Sequence, residues 1–129
     1  RQVVHGDANL DNVLVAEGGY LEDASVSDSV VGIRASVGAR SEIRRSVLLG
    51  ADYYEPPPAA MAGARAVPIG IGRDVVLDRV IVDKNARIGD GARLVNAAGI
   101  DEADGDGYYI RNGIIIVPKG AIVKPGTVV

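Results

Sequence analysis

Residues 71–94 read IGRDVVLDRVIVDKNARIGDGARL, and their aliphatic positions Ile71, Leu77, Val82, Ile88 and Leu94 fall five or six residues apart. An α-helix repeats every 3.6 residues and cannot keep that interval on one face, while a flat strand alternates every second residue. A triangular coil of short strands can keep it. Each step is then one side, three sides close a coil of about 16 to 18 residues, and stacked coils bury the rungs in a continuous column. The same ladder runs outward from this stretch, through Leu10, Val15, Leu21, Val26, Val31, Val37, Ile43 and Leu48 before it and Val117, Val123 and Val129 after it. In the six-residue steps the fifth position is small or β-branched, as at Gly19, Ala35, Ser41, Val75, Ala86, Ala92, Ala121 and Thr127. Those are the places where side chains crowd inside a corner.

Composition agrees with this ladder. The chain has 129 residues, 47% of them hydrophobic, with no Phe, no Trp and five Tyr, so its core is assembled from small branched side chains. Seventeen glycines and many β-branched residues favour strands. The class is all-β and repetitive, and the length is that of one domain over residues 1–129. Two segments interrupt the ladder: about 50–70, with Pro56-Pro57-Pro58, and about 96–110, with Asp101, Glu102, Asp104 and Asp106. Proline and acid clusters do not continue a buried strand, so both read as loops thrown out of the coil, with room for a helical turn in each.

Several function classes are disfavoured. Without cysteine there is no disulfide framework and no thiolate zinc site, and one histidine cannot make a multi-histidine metal site. A net charge of −3 argues against a nucleic-acid partner, although Arg34, Arg40, Arg44 and Arg45, with Glu42 alone among them, form a local basic strip. No apolar run approaches the roughly 20 residues of a membrane span. Residue 1 is Arg rather than Met, which reads as a fragment.

His5-Gly6-Asp7 followed by Asn12 resembles the catalytic loop of aminoglycoside-type phosphotransferases, yet Leu10 and Val15 fit the coil ladder better. The lone His5 precedes the first clear rung, which disfavours hexapeptide acyltransferase and gamma-type carbonic anhydrase chemistry. Gly70-Ile71-Gly72 lacks the rest of a phosphate-binding fingerprint. No catalytic and no metal-binding residue is assigned. What remains is a pair of cations: Lys84 and Lys119 each lie two positions after a rung, Val82 and Val117, and should occupy equivalent outward positions on different coils. Two such ammonium groups can converge on a phosphate or carboxylate, with Arg34 or Arg87 adding a forked donor, or they can be ordinary solvated lysines. Spacing leaves both readings open.

The segments Ser29-Val30-Val31-Gly32-Ile33-Arg34, Ser46-Val47-Leu48-Leu49-Gly50-Ala51-Asp52-Tyr53-Tyr54-Glu55 and Val67-Pro68-Ile69-Gly70-Ile71-Gly72 carry a resemblance. So do Ile81 to Asp90, Asp106-Gly107-Tyr108-Tyr109-Ile110 and Gly113 to Lys119. From about residue 8 to the end, the chain resembles the C-terminal part of the glucose-1-phosphate adenylyltransferases, the ADP-glucose pyrophosphorylase family of cyanobacteria and plants. The resemblance implies a left-handed parallel β-helix of hexapeptide repeats with two loop insertions; the coil spacing alone does not give the hand. It also implies an enzyme that makes ADP-glucose and pyrophosphate from ATP and glucose 1-phosphate, for glycogen or starch synthesis. The ATP and Mg2+ of that reaction would belong to a nucleotidyltransferase domain that the matching segments do not include, so this chain is not expected to be catalytic alone.

The implied partners are that catalytic domain and sister subunits of a tetramer, with 3-phosphoglycerate or phosphate as effector, in the cytoplasm or a plastid. Lys84 and Lys119 match the family's two activator lysines. Residues 1–9 do not match the family's proline-rich lead-in. The alternatives are a free-standing structural β-helix that self-associates, and an acyltransferase.

Overall fold

Short β-branched runs punctuated every five or six residues by a left-handed backbone residue cannot extend into long strands, and they do not. The computed structural model describes residues 3–5, 9–16, 20–52 and 69–129, and all regular elements among them are strands. One side of the coil is a parallel sheet of six strands in the order β1 (Val3–His5), β3 (Tyr20–Glu22), β5 (Ser36–Val37), β8 (Gly70–Ile71), β11 (Arg87–Ile88) and β16 (Ile122–Val123). The second side is built from the first half of β2 (Asn9–Val15) and of β4 (Ser25–Val31), then β6 (Glu42–Arg44), β9 (Val76–Asp78) and β12 (Arg93–Leu94). The third side takes the second halves of β2 and β4, then β7 (Val47–Leu48), β10 (Val80–Val82) and β15 (Ile114–Val117). Strands β2 and β4 run through the corner between two sides at Asn12 and Asp28, whose φ angles are 56° and 48°, and their pairing resumes in the same register beyond it.

The sheet register aligns the rungs. Leu21, Val37, Ile71, Ile88 and Val123 stack on the first side. Val26, Ile43, Leu77 and Leu94 stack on the second, and Val31, Leu48, Val82 and Val117 on the third. All are buried in one cluster, completed by Ala35, Val75, Ala86 and Ala92 inside the corners. Leu10 is in register with Val26 but remains 40% exposed, because only one coil flanks it among the described residues.

Polar groups in the corners are satisfied along the axis. Ser41 Oγ donates to the Gly72 carbonyl (2.7 Å) and accepts from the Val75 N–H (3.2 Å). Ser29 and Ser46 repeat the device one coil apart: each hydroxyl donates to the carbonyl two residues back, at 2.6 and 2.7 Å, and accepts the next coil's N–H, at 3.1 and 3.2 Å. A buried hydroxyl with both partners avoids the penalty that an unpaired one would carry.

The left-handed corner positions are held by side-chain pairs between coils. Arg40 (φ 60°) forks onto Asp74 (φ 55°) at 2.8 and 3.0 Å, and Arg45 (φ 48°) onto Asp78 at 2.9 and 2.6 Å. Arg44 reaches Glu42 at 3.5 Å. Three of the four arginines that read as a basic strip, Arg40, Arg44 and Arg45, are therefore paired with carboxylates, two of which the fold brings from the next coil.

The structure corrects the expectation for residues 96–110. Instead of an outlying loop with a helical turn, β13 (Glu102–Asp104) and β14 (Tyr109–Arg111) form an antiparallel hairpin, and β14 pairs antiparallel with β15. It fills the place next to β15 on the third side. Ile110 points into the core, only 1% exposed, against Ile115. Asn96, buried at the base, donates to the carbonyls of Ile100 (2.9 Å) and Gly113 (3.2 Å) and accepts from the Ile100 N–H (3.0 Å). That side chain ties both ends of the excursion together. Most of the 50–70 excursion lies outside the described residues, as do Gly6 and Asp7 of the phosphotransferase-like triplet and the corner position Gly19. The backbone of His5 lies in β1, opposite Glu22.

Candidate functional site

The corner between the third and first sides places the lysines. Along it, main-chain hydrogen bonds run from the Ala51 N–H to the Ile33 carbonyl (2.9 Å), from Asn85 to Gly50 (3.1 Å) and from Gly120 to Lys84 (3.0 Å). Ile33, Gly50, Lys84 and Lys119 are thus equivalent residues of successive coils, each two past a rung of the third side. Neighbouring strands are about 4.8 Å apart, so the two lysine backbones stand one strand spacing from each other. Gly50 is required here: its φ is 87°, and a Cβ would collide with the Ile33 carbonyl oxygen.

Both ammonium groups turn to one carboxylate. Lys84 Nζ lies 3.2 Å from Asp52 Oδ1 and Lys119 Nζ lies 3.9 Å from Asp52 Oδ2. Asn85, at a left-handed φ of 61°, completes the arrangement as a two-point clasp. Its amide Nδ2 donates to Asp52 Oδ2 at 3.1 Å, and its Oδ1 accepts the Asp52 N–H at 2.9 Å. The Asn85 hydrogen bond first, and then Lys84, hold the Asp52 carboxyl below its ordinary range, against the smaller opposing effect of desolvation. The Lys84 N–H is itself accepted by Asp83 Oδ1 at 2.7 Å, which fixes the start of the turn. Lys84 and Asp52 are a little under half exposed and Lys119 is more so, which leaves the cluster open to solvent.

Arg34 stands on the same corner, where its Nε donates to the Ala51 carbonyl at 3.0 Å, next to the Asp52 backbone. It also lines a shallow cleft with Gly50, Ile69 and Asp83. Arg87 is placed differently, on β11 of the first side, in register between Gly70 and Ile122. Asp52 and Asn85 were not singled out by spacing, since neither is a rung nor a cation. The available signal was an asparagine at a turn position that demands positive φ. Among the described residues no group of three or more His, Cys, Asp or Glu could hold a metal ion. No helix among them is long and apolar enough to cross a membrane.

A three-sided parallel solenoid of five- and six-residue steps, with a cationic corner exposed to solvent, defines the class. Residues 4–128 match the family described as the GLGC left-handed parallel beta-helix domain, and the chain belongs to that family. The coil is accordingly left-handed. The chain is also 38% identical over 127 residues to the glucose-1-phosphate adenylyltransferase small subunit, chloroplastic/amyloplastic, of Triticum aestivum. That alignment takes in 95% of this chain and 27% of the wheat protein, so the chain spans about a quarter of that relative's length.

Proposed function

We propose that this chain serves as the regulatory and assembly β-helix of a glucose-1-phosphate adenylyltransferase, with Lys84 and Lys119 as the binding pair for a phosphorylated effector. 3-Phosphoglycerate and inorganic phosphate are the effectors whose chemistry fits. The observation that carries the reading is the convergence of both lysines on the two oxygens of one carboxylate, at 3.2 and 3.9 Å. An oxyanion presents the same acceptors to the same donors. No catalytic residue is assigned to this chain, and ATP turnover belongs to the remaining length of such an enzyme. A plastid setting is part of the proposal and rests on the relative's name. Titration with 3-phosphoglycerate or phosphate, followed by amide NMR, tests it: saturable shifts at Lys84, Asn85 and Gly120, lost in Lys84→Ala and Lys119→Ala, are expected. Shifts that survive both substitutions would remove the lysines from the site.

The assembly role has its own support. On the third side the outward positions Leu14, Val30, Val47, Ile81, Ile116 and Tyr109 stand in register from β2 to β14. Leu14 is 73% exposed. The equivalent outward positions of the second side are Ser25, Glu42, Val76 and Arg93, which are largely polar. A continuous apolar stripe on one of three faces suits contact with a sister subunit. Sedimentation should find concentration-dependent association in the parent and its loss in Ile81→Lys; a monomeric parent at tens of micromolar would refute this role.

A further inference from the structure

We propose that Asp52 is a tethered competitor for the lysine pair: its carboxylate occupies the place of an incoming oxyanion, which binds only when Asp52 swings away. This deepens the effector-site reading above and rests on it.

The carboxylate does not meet the lysines as a simple surface pair. Oδ1 faces Lys84 at 3.2 Å and Oδ2 faces Lys119 at 3.9 Å, so each oxygen of one anion is directed to a different coil. That bridging mode is the one a phosphate would use. Asn85 holds the competitor in alignment through both of its amide atoms, at 2.9 and 3.1 Å, from a corner whose own N–H is anchored on Gly50. The seat is therefore built from both sides.

The competitor is also able to leave. Asp52 lies one residue beyond Ala51, whose N–H is anchored on the Ile33 carbonyl at 2.9 Å, whereas the Asp52 N–H is held by the Asn85 side chain. Its side chain is 43% exposed and its ion pairs are exposed ones, so its departure opens no core and breaks no sheet bond. Exposed pairs hold a closed state only modestly. Apparent affinity falls by the fraction of molecules in which the site is open, so a seated Asp52 raises the apparent Kd by about five- to tenfold. The aspartate thus sets the effector concentration at which the site responds, and it offsets one of the pair's two positive charges when no effector is present.

Asp52→Asn tests this in the full chain, with inorganic phosphate as the probe at low ionic strength. The asparagine retains an amide partner for Asn85 but no charge. The expected result is a phosphate Kd lower by about five- to tenfold, with the gain abolished in Asp52→Asn/Lys119→Ala. In the parent chain, saturation with phosphate is expected to move the side-chain carboxyl carbon resonance of Asp52, a readout that needs no variant. Equal phosphate affinity in parent and Asp52→Asn, both weakened by Lys119→Ala, would overturn the competitor while leaving the effector site standing. A tighter Asp52→Asn with an unmoved Asp52 resonance in the parent would mean repulsion at a distance and would also overturn it. Phosphate binding by neither protein would overturn both.

Discussion

Leu77 and Leu10 belong to the same column of the second side and differ in how many coils enclose them. Leu77 lies between Ile43 and Leu94 and is 0% exposed; among the described residues Leu10 meets Val26 alone, and it is 40% exposed. Truncation to alanine removes the same atoms at each, so the two substitutions isolate enclosure. At Leu77 the lost transfer energy of a fully buried leucine adds to the cost of a cavity that a solenoid pinned by hydrogen bonds on all three sides cannot collapse. About 3 kcal/mol is expected, within the range seen for buried leucines. At Leu10 solvent enters as the side chain shortens, no cavity remains, and about 1 kcal/mol is expected. Urea denaturation followed by far-ultraviolet circular dichroism gives both numbers, and the difference of about 2 kcal/mol corresponds to a gap of several degrees in Tm. If the two variants agree within about 0.5 kcal/mol, stacking of rungs is not what stabilises the coil.

Ser46→Ala removes the acceptor of the Val80 N–H and the donor to the Arg44 carbonyl, so a cost of about 1–3 kcal/mol is expected, with faster amide exchange at Val80. Gly50→Ala forces a Cβ onto the Ile33 carbonyl at positive φ, and a loss of at least about 2 kcal/mol is expected in thermal melts, together with displaced Lys84 and Asn85 amide resonances. The pH dependence follows from Asp52 and Asp74, whose carboxyls are held below their ordinary value of 3.8 chiefly by hydrogen bonds from Asn85 and Arg40. Because the folded-state values are the lower ones, their stabilisation is complete above that value and is lost as pH falls through and below it. Urea midpoints from pH 6 to pH 2 should show a fall below pH about 4 that is shallower in Asp52→Asn/Asp74→Asn. An unchanged slope would exclude these two carboxyls as its source.

The coil was legible because its determinant is local: a rung every five or six residues can be read without knowing what the rung touches. Lys84 and Lys119 were placed from the same count, since an equal offset from a rung becomes an equal position on the corner once the coils stack. The hairpin was not legible. Glu102, Asp104 and Asp106 look like a solvated loop, and the strands there gain their hydrogen bonds from the edge of β15, which exists only after the coil has formed. The arginine run misled for a similar reason, because its acids Asp74 and Asp78 lie 34 and 33 residues further along the chain. Asp52 was hidden twice over. It sits beside an interruption of the ladder, and Asn85 and both lysines reach it from coils that the sequence does not mark as neighbours.

The antiparallel strand β14 has a consequence for how such molecules meet end to end. A stack of identical parallel coils is polar, like a screw thread: the last coil of one copy offers three strand edges to the first coil of another, and a contact of that kind repeats into an open filament. On the third side this chain reverses direction beside β15 and then presents β13, whose Glu102 and Asp104 are exposed. An approaching coil would match two sides and find the third running the wrong way and negatively charged. The hairpin therefore disfavours lengthwise pairing along this edge, and the sideways contact proposed above does not use that edge.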